Sequence, residues 1–155
     1  MEFTRLLEER RSIRAFDTEK YVTAEQIQEI VQAAIQAPSW KNSQTTRYYA
    51  VVTPEKIEKF SAKCLPEFNQ KSSKGAALVV TTFVKDRSGF TQDGTPENEV
   101  GNGWGYYDLG LHDENLILRA RELGLDTLIM GIRDEKAIRE ALSIPENELL
   151  GAVIA

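Results

Sequence analysis

The 155 residues of this chain include a single cysteine and a single histidine. Cys64 has no second cysteine for an internal disulfide, which fits a reducing compartment. It falls on the apolar side of a helical pattern, as a buried inert thiol would. With His112 alone, no Cys/His zinc spacing can be written. No apolar run approaches the roughly 20 residues that span a bilayer. Residues 1–15 are charged and lack the apolar core of a secretion signal. There is no G-x-G-x-x-G turn for a pyrophosphate, no G-x-S-x-G elbow and no Cys–His signature. Excess positive charge is also missing. A net charge of −5 and a pI near 5.0 argue against nucleic acid, whose binding needs a broad basic face. What remains is the expectation of a cytoplasmic protein with no membrane partner and no nucleic-acid partner.

Against that acidic background, Glu9-Arg10-Arg11-Ser12-Ile13-Arg14-Ala15-Phe16-Asp17 stands out. It places three guanidinium groups and a hydroxyl within five residues. Arginine presents a planar fork of donors that matches phosphate oxygens, and serine adds a compact neutral donor. The cluster suits one small dianion. It equally suits the solvated basic end of a helix.

The rest of the chain reads as one domain over residues 1–155, long enough for a real core. Phe3, Leu6 and Leu7 predict a short helix over 2–10. Thr23-Ala24-Glu25-Gln26 is a capping-box pattern, and Ile27, Ile30, Val31, Ala34 and Ile35 follow at helical spacing, closed by Pro38. Residues 47–53 are rich in β-formers, and Thr53-Pro54 opens a helix lined by Ile57, Phe60, Cys64 and Leu65. Residues 76–84 form a near-continuous apolar run, as in a strand covered on both faces. Residues 86–105 carry five glycines and no sustained period, which marks a functional or mobile segment. A long helix is expected over 106–123, a buried strand over 127–130, a helix capped by Asp134, and a strand from 151 to the end. This order predicts an α+β fold with a central mixed sheet flanked by helices on both faces.

Three motifs in order carry a family resemblance. Arg10-Arg11-Ser12-Ile13-Arg14 is followed, about 25 residues later, by Ala37-Pro38-Ser39-Trp40-Lys41-Asn42-Ser43-Gln44. The third is Glu122-Leu123-Gly124-Leu125-Asp126-Thr127-Leu128-Ile129-Met130-Gly131. Together they resemble the R-R-S-x-R, A-P-S-x-x-N-x-Q and G-L-x-[ST] patterns of the nitroreductase family. These are FMN-dependent enzymes that reduce nitroaromatics, quinones and flavins.

The resemblance implies a nitroreductase-like fold and a homodimer with shared flavin sites. It implies FMN as cofactor and NADH or NADPH as electron donor. Arg10, Ser12 and Arg14 would hold the FMN phosphate, with Arg11 turned to the ribityl chain or to solvent. Pro38, Ser39, an exposed Trp40 and Asn42 would reach the partner's flavin, and Asn69 would stand near the ring. Loop-stabilising hydrogen bonds are the other role open to Asn42 and Gln44. A backbone N–H of the Met130-Gly131 pair would face the reactive N5, with Leu128 and Ile129 packed against one ring face. No dedicated acid, base or nucleophile is evident, which fits chemistry carried by a cofactor.

Relatives in that family run past the last strand into a tail, whereas this chain ends at Ala155. It is either naturally short or truncated, and phosphate affinity and dimer stability are the properties at stake. The expected activity passes reducing equivalents from NAD(P)H to flat, electron-poor small molecules by a ping-pong mechanism. The alternative is a flavin-binding or redox-sensing module with little turnover. A third reading is an interaction domain without flavin. His112 reads as a packing or interface residue. Trp104, Tyr106 and Tyr107 read equally as pocket wall or aromatic core.

Overall fold

The computed structural model describes residues 2–155. Its sheet has the order β1 (Thr46–Val51), β2 (Leu78–Val84), β4 (Glu148–Ile154) and β3 (Ile129–Met130). These strands pair antiparallel throughout, and parallel pairing is confined to an isolated bridge between Ser12 and Thr127. The helices are α1 (Phe3–Glu9), α2 (Ala24–Ala34), α3 (Pro54–Cys64), α4 (Glu67–Ser72), α5 (Gly103–Glu122) and α6 (Glu135–Leu142).

Side chains of a strand alternate between faces, and β2 divides the core accordingly. Leu78 and Val80 pack with Val51, Phe60, Cys64, Ile138 and Val153 beneath α3 and α6. Val79 packs with Ile30, Ala34, Leu116, Ile117 and Ile154 beneath α2 and α5. The expected α+β class, with helices on both faces, is therefore present, but the sheet, expected to be mixed, is antiparallel. Cys64 is fully buried in the first cluster, and burial pushes its thiol upward, as for an inert cysteine.

Local signals explain most boundaries. Thr23 and Gln26 form both halves of the capping box of α2. Pro54 occupies the first turn of α3, and the Asp134 carboxylate accepts the Ala137 N–H at 2.9 Å to start α6. A register shift between Val80 and Thr82 leaves an extra donor on β4. The Thr81 hydroxyl accepts it, from Ala152 N at 3.2 Å. Gly151 sits there because a Cβ would stand 2.4 Å from Leu109 of α5.

Several expectations are corrected. The strand expected over 127–130 shrinks to Ile129–Met130, and Ile129 is exposed rather than buried. The last strand begins at Glu148, not at 151. Helix α2 ends at Ala34, before Pro38. Helix α4 was not anticipated. The segment over 86–105 is pinned by hydrogen bonds: Asp86 and Asn102 exchange two at 2.8 Å, and α5 already starts at Gly103.

Candidate active site

Arg10 caps the C-terminal end of α1, its N–H donating to Leu6 O at 3.1 Å. The chain then leaves the helix and is caught by the segment before β3. Ile13 N donates to Thr127 O at 3.0 Å, beside the Ser12–Thr127 bridge. The guanidinium of Arg11 curls onto Arg10 O at 2.6 Å, and that of Arg14 onto Ser12 O at 3.3 Å. Among the described residues, Arg10, Arg11 and Arg14 have no carboxylate partner. Their neighbours do: Arg5 pairs with Glu9, and Arg121 with Glu9 and Asp126. The Arg5 hydrogen bond, then the Arg121 contacts, hold the Glu9 carboxyl below its usual range. Glu9 is thus engaged elsewhere, and the loop keeps its positive charge.

From Thr127, four nearly extended residues lead to Gly131, a span of roughly 13 Å. Nothing lies within 4 Å of where a Cβ on Gly131 would stand. Ile129 and Ile132 flank it, 49% and 66% exposed. Leu128 and Met130 instead belong to the core beneath α3 and α6. Of the two side chains expected against the ring, only Ile129 is presented to the surface. Asn69 is buried on α4 and donates its side-chain N–H to Ile132 O at 2.8 Å. It fixes the backbone after Gly131, so its amide nitrogen is engaged by protein rather than pointing free.

The Ser12–Thr127 bridge therefore ties arginines that lack carboxylate partners to open, apolar ground around Gly131. FMN carries a phosphate at one end and a flat, largely apolar ring at the other. The residues present fit that group.

The second motif folds elsewhere. Residues 40–42 form a single 3₁₀ turn, and Lys41, Asn42 and Gln44 adopt positive φ angles of 45°, 56° and 51°. Three non-glycine residues in that region store strain, which the surroundings must hold. Ser39 Oγ accepts Gln44 N at 3.0 Å, and Asn42 Oδ1 accepts the Gln44 side-chain amide at 3.1 Å. The loop-stabilising role open to Asn42 and Gln44 is thus realised. Asp108 of α5 accepts both Trp40 N at 3.0 Å and the Ser88 hydroxyl at 2.6 Å. Ser88 also meets the Ser43 hydroxyl at 2.7 Å.

Trp40, which looked exposed from sequence, is half-buried. Its ring lies 4.6 Å from that of Trp104, and its Nε1 donates to Glu97 at 3.1 Å. Lys41 reaches the same carboxylate at 2.5 Å. The Lys41 hydrogen bond, with help from Trp40, holds Glu97 below its usual range. Trp104 in turn meets Tyr107, while Tyr106 packs edge-on to Phe83. His112 is buried with Nδ1 against Asp108 O at 2.7 Å, a packing residue.

Asp108 and Arg121 lie on one helix, 13 residues apart, so the two motifs sit near opposite ends of α5, roughly 20 Å from each other along its axis. The structure brings Arg10–Arg14, Thr127–Gly131 and Asn69 together and keeps Pro38–Gln44 apart from them. Sequence reasoning missed Asp108, Ser88 and Glu97. The available signal was an aspartate on the inward stripe of α5 with Leu109, His112 and Leu116. Among the described residues, no group of three or more His, Cys, Asp or Glu side chains could hold a metal, and no helix is long and apolar enough to cross a membrane.

The model of the nitroreductase family matches residues 7–155. A protein of Archaeoglobus fulgidus bearing the name NADH dehydrogenase/NAD(P)H nitroreductase is 30% identical, over 99% of this chain and 83% of its own. The solved structure of an oxidoreductase containing FMN superposes with a TM-score of 0.82 at 28% identity, over 100% of this chain and 76% of that one. A nitroreductase family protein from Clostridium novyi NT gives 0.78 at 21% identity, over 99% and 83%, a likeness of fold.

Proposed function

This chain belongs to the nitroreductase family, and from that premise we propose that it is an FMN-dependent oxidoreductase. It would pass reducing equivalents from NAD(P)H to flat, electron-poor acceptors such as nitroaromatics, quinones or flavins. The observation that carries the reading is a backbone connection. Arg10, Arg11 and Arg14, none paired with a carboxylate among the described residues, are tied through Ser12 and Thr127 to the open backbone at Gly131.

FMN, when bound, would supply the redox chemistry that links NAD(P)H to the acceptor. The chain's own residues bind and orient. Arg10, Ser12 and Arg14 take the phosphate by charge-assisted hydrogen bonds, with Arg11 at the ribityl chain or solvent. The Met130-Gly131 backbone offers an N–H toward the ring nitrogen, and the glycine permits close approach. Asn69 fixes that backbone through Ile132. Ile129 and Ile132 exclude water from the ring's edge. The active unit is a homodimer in the cytoplasm. Pro38, Ser39, Trp40 and Asn42 serve the partner's flavin, a reading supported by the distance that separates them from Arg10–Arg14 within one chain.

Donor and acceptor would use the same open ground beside Gly131 and so exclude each other. Steady-state velocities against NAD(P)H and a quinone should give parallel double-reciprocal lines; intersecting lines would mean a ternary complex. The first test is the visible spectrum of the purified protein with and without added FMN. A bound flavin that chromatographs as FMN, together with NAD(P)H oxidation, is the expected result. FAD, or no flavin after reconstitution, would sink the proposal. Bound FMN without turnover would favour a binding module instead.

A further inference from the structure

We infer that the cavity beside the Pro38–Gln44 loop binds an anionic group of the molecule that reacts at the neighbouring flavin, through Arg47 and Arg87. The inference rests on the reading that this loop serves a flavin site. The cavity holds about 640 Å³, the size of a small-molecule site, and is bounded by Trp40, Gln44, Arg47, Arg87, Phe90 and Asn147.

The distribution of arginines points to it. Arg5, Arg119, Arg121 and Arg139 each pair with a carboxylate. Among the described residues, those without one are Arg10, Arg11, Arg14, Arg47, Arg87 and Arg133. Arg133 donates to the Leu150 carbonyl in the interior. The first three form the proposed phosphate cluster. The remaining two share this cavity.

In a chain of net charge −5, acids are abundant, yet three beside the lining residues, Asp86, Asp93 and Glu97, are engaged elsewhere. Asp86 bonds Asn102. Glu97 holds Lys41 and Trp40. Asp93 accepts from the Thr91 hydroxyl and from Thr95 N. Arg47 is oriented by donating one nitrogen to Gln44 O at 2.9 Å and Thr46 O at 2.8 Å, which leaves its other donors unused. The Arg87 side chain makes no hydrogen bond or ion pair with any described residue, its backbone carbonyl alone accepting Phe90 N at 3.1 Å. Gln92 and Asn147 add neutral amides, and Trp40 and Phe90 give apolar walls against which a flat group can lie.

Two ligand sources share this chemistry: the 2′-phosphate that distinguishes NADPH from NADH, or the carboxylate of an anionic acceptor. Titration calorimetry with adenosine 2′,5′-bisphosphate against AMP, and with 4-nitrobenzoate against nitrobenzene, separates them. Wild type and Arg87→Ala are compared, with FMN affinity measured on both by absorbance. Arg87→Ala should leave FMN affinity unchanged and weaken one anionic probe about tenfold, the loss of one charge-assisted contact. Its neutral or less charged counterpart should be unaffected. Loss confined to the bisphosphate identifies the nucleotide, and loss confined to nitrobenzoate identifies the acceptor. Arg87→Lys should recover part of the affinity. Failure of wild type to prefer either anionic probe, or equal affinities in wild type and Arg87→Ala, overturns the inference. If FMN does not bind at all, the functional proposal fails separately, since the probes still report on the cavity in flavin-free protein.

Discussion

Asp108 accepts the backbone N–H of Trp40 at 3.0 Å across 68 residues of sequence. With the Ser88 hydroxyl on the same oxygen, this contact holds a loop in which Lys41, Asn42 and Gln44 all have positive φ. Asp108→Ala leaves the Trp40 N–H without its acceptor and removes the Ser88 contact, and should cost roughly 2–4 kcal/mol of stability. Asp108→Asn keeps a carbonyl acceptor and should cost clearly less. Chemical denaturation of the two variants checks the order, and equal losses would mean that bulk rather than the acceptor matters.

Arg14→Ala removes one charge-assisted contact from the proposed phosphate cluster. FMN affinity should fall about ten- to a hundredfold, equivalent to roughly 1.5–3 kcal/mol. Stability of the flavin-free protein should hardly change, because Arg14 bonds only its own loop, at Ser12 O. An unchanged dissociation constant would make Arg14 ordinary surface charge.

Gly131→Val separates binding from folding. Its added side chain would enter open space, so stability should stay within about 0.5 kcal/mol. The same space is where the ring is proposed to lie, so FMN binding should be lost. Gly105→Ala is the contrast: its Cβ would stand 2.1 Å from Phe83, and the fold itself should suffer. Full flavin loading of Gly131→Val would displace the ring from this site.

How much of this was legible in the sequence depends on how far apart the partners lie. The capping box of Thr23 and Gln26 is local and was read directly. So were the helix begun by Pro54 and the buried run of β2. The three site motifs could be recognised, but their juxtaposition could not. Ser12 and Thr127 are joined by a bridge that no periodicity encodes. Trp40 looked exposed because its partners, Glu97 and Trp104, come from a distant segment. Ile129 was taken for a buried strand residue because an apolar run does not reveal which face stays uncovered. Asn69 was given a place near the ring, yet its bond to Ile132 O appears only once α4 packs beside β3.

A buried polar group gives a prediction in pH. Asp113 stands on α5 with its Oδ2 accepting the Thr81 hydroxyl at 3.0 Å, while its Oδ1 and the Tyr48 hydroxyl are buried without partners. Burial raises the Asp113 carboxyl from 3.8 to about 6, against the opposing hydrogen bond of Thr81. The folded state thus holds this proton more tightly than the unfolded chain does. Its contribution is fully present below the unfolded value of 3.8 and is lost as pH rises through about 6. The difference in stability between wild type and Asp113→Asn should therefore shift by roughly 2–3 kcal/mol against wild type over that window. Carboxylates with lowered values act below it, and they cancel in the difference. A pH-independent difference would contradict the assignment.

The central claim is that each flavin is held by Arg10–Arg14 and Met130-Gly131 of one chain and by Pro38, Ser39 and Asn42 of another. Mixing two defective variants, Arg14→Ala and Asn42→Ala, under conditions of confirmed subunit exchange and limiting FMN tests it directly. A mixed dimer would carry one doubly damaged site and one intact site. Recovery of NAD(P)H oxidation in the mixture is the predicted result. Exchange without recovery would place both residues in a single subunit's site and contradict the shared arrangement.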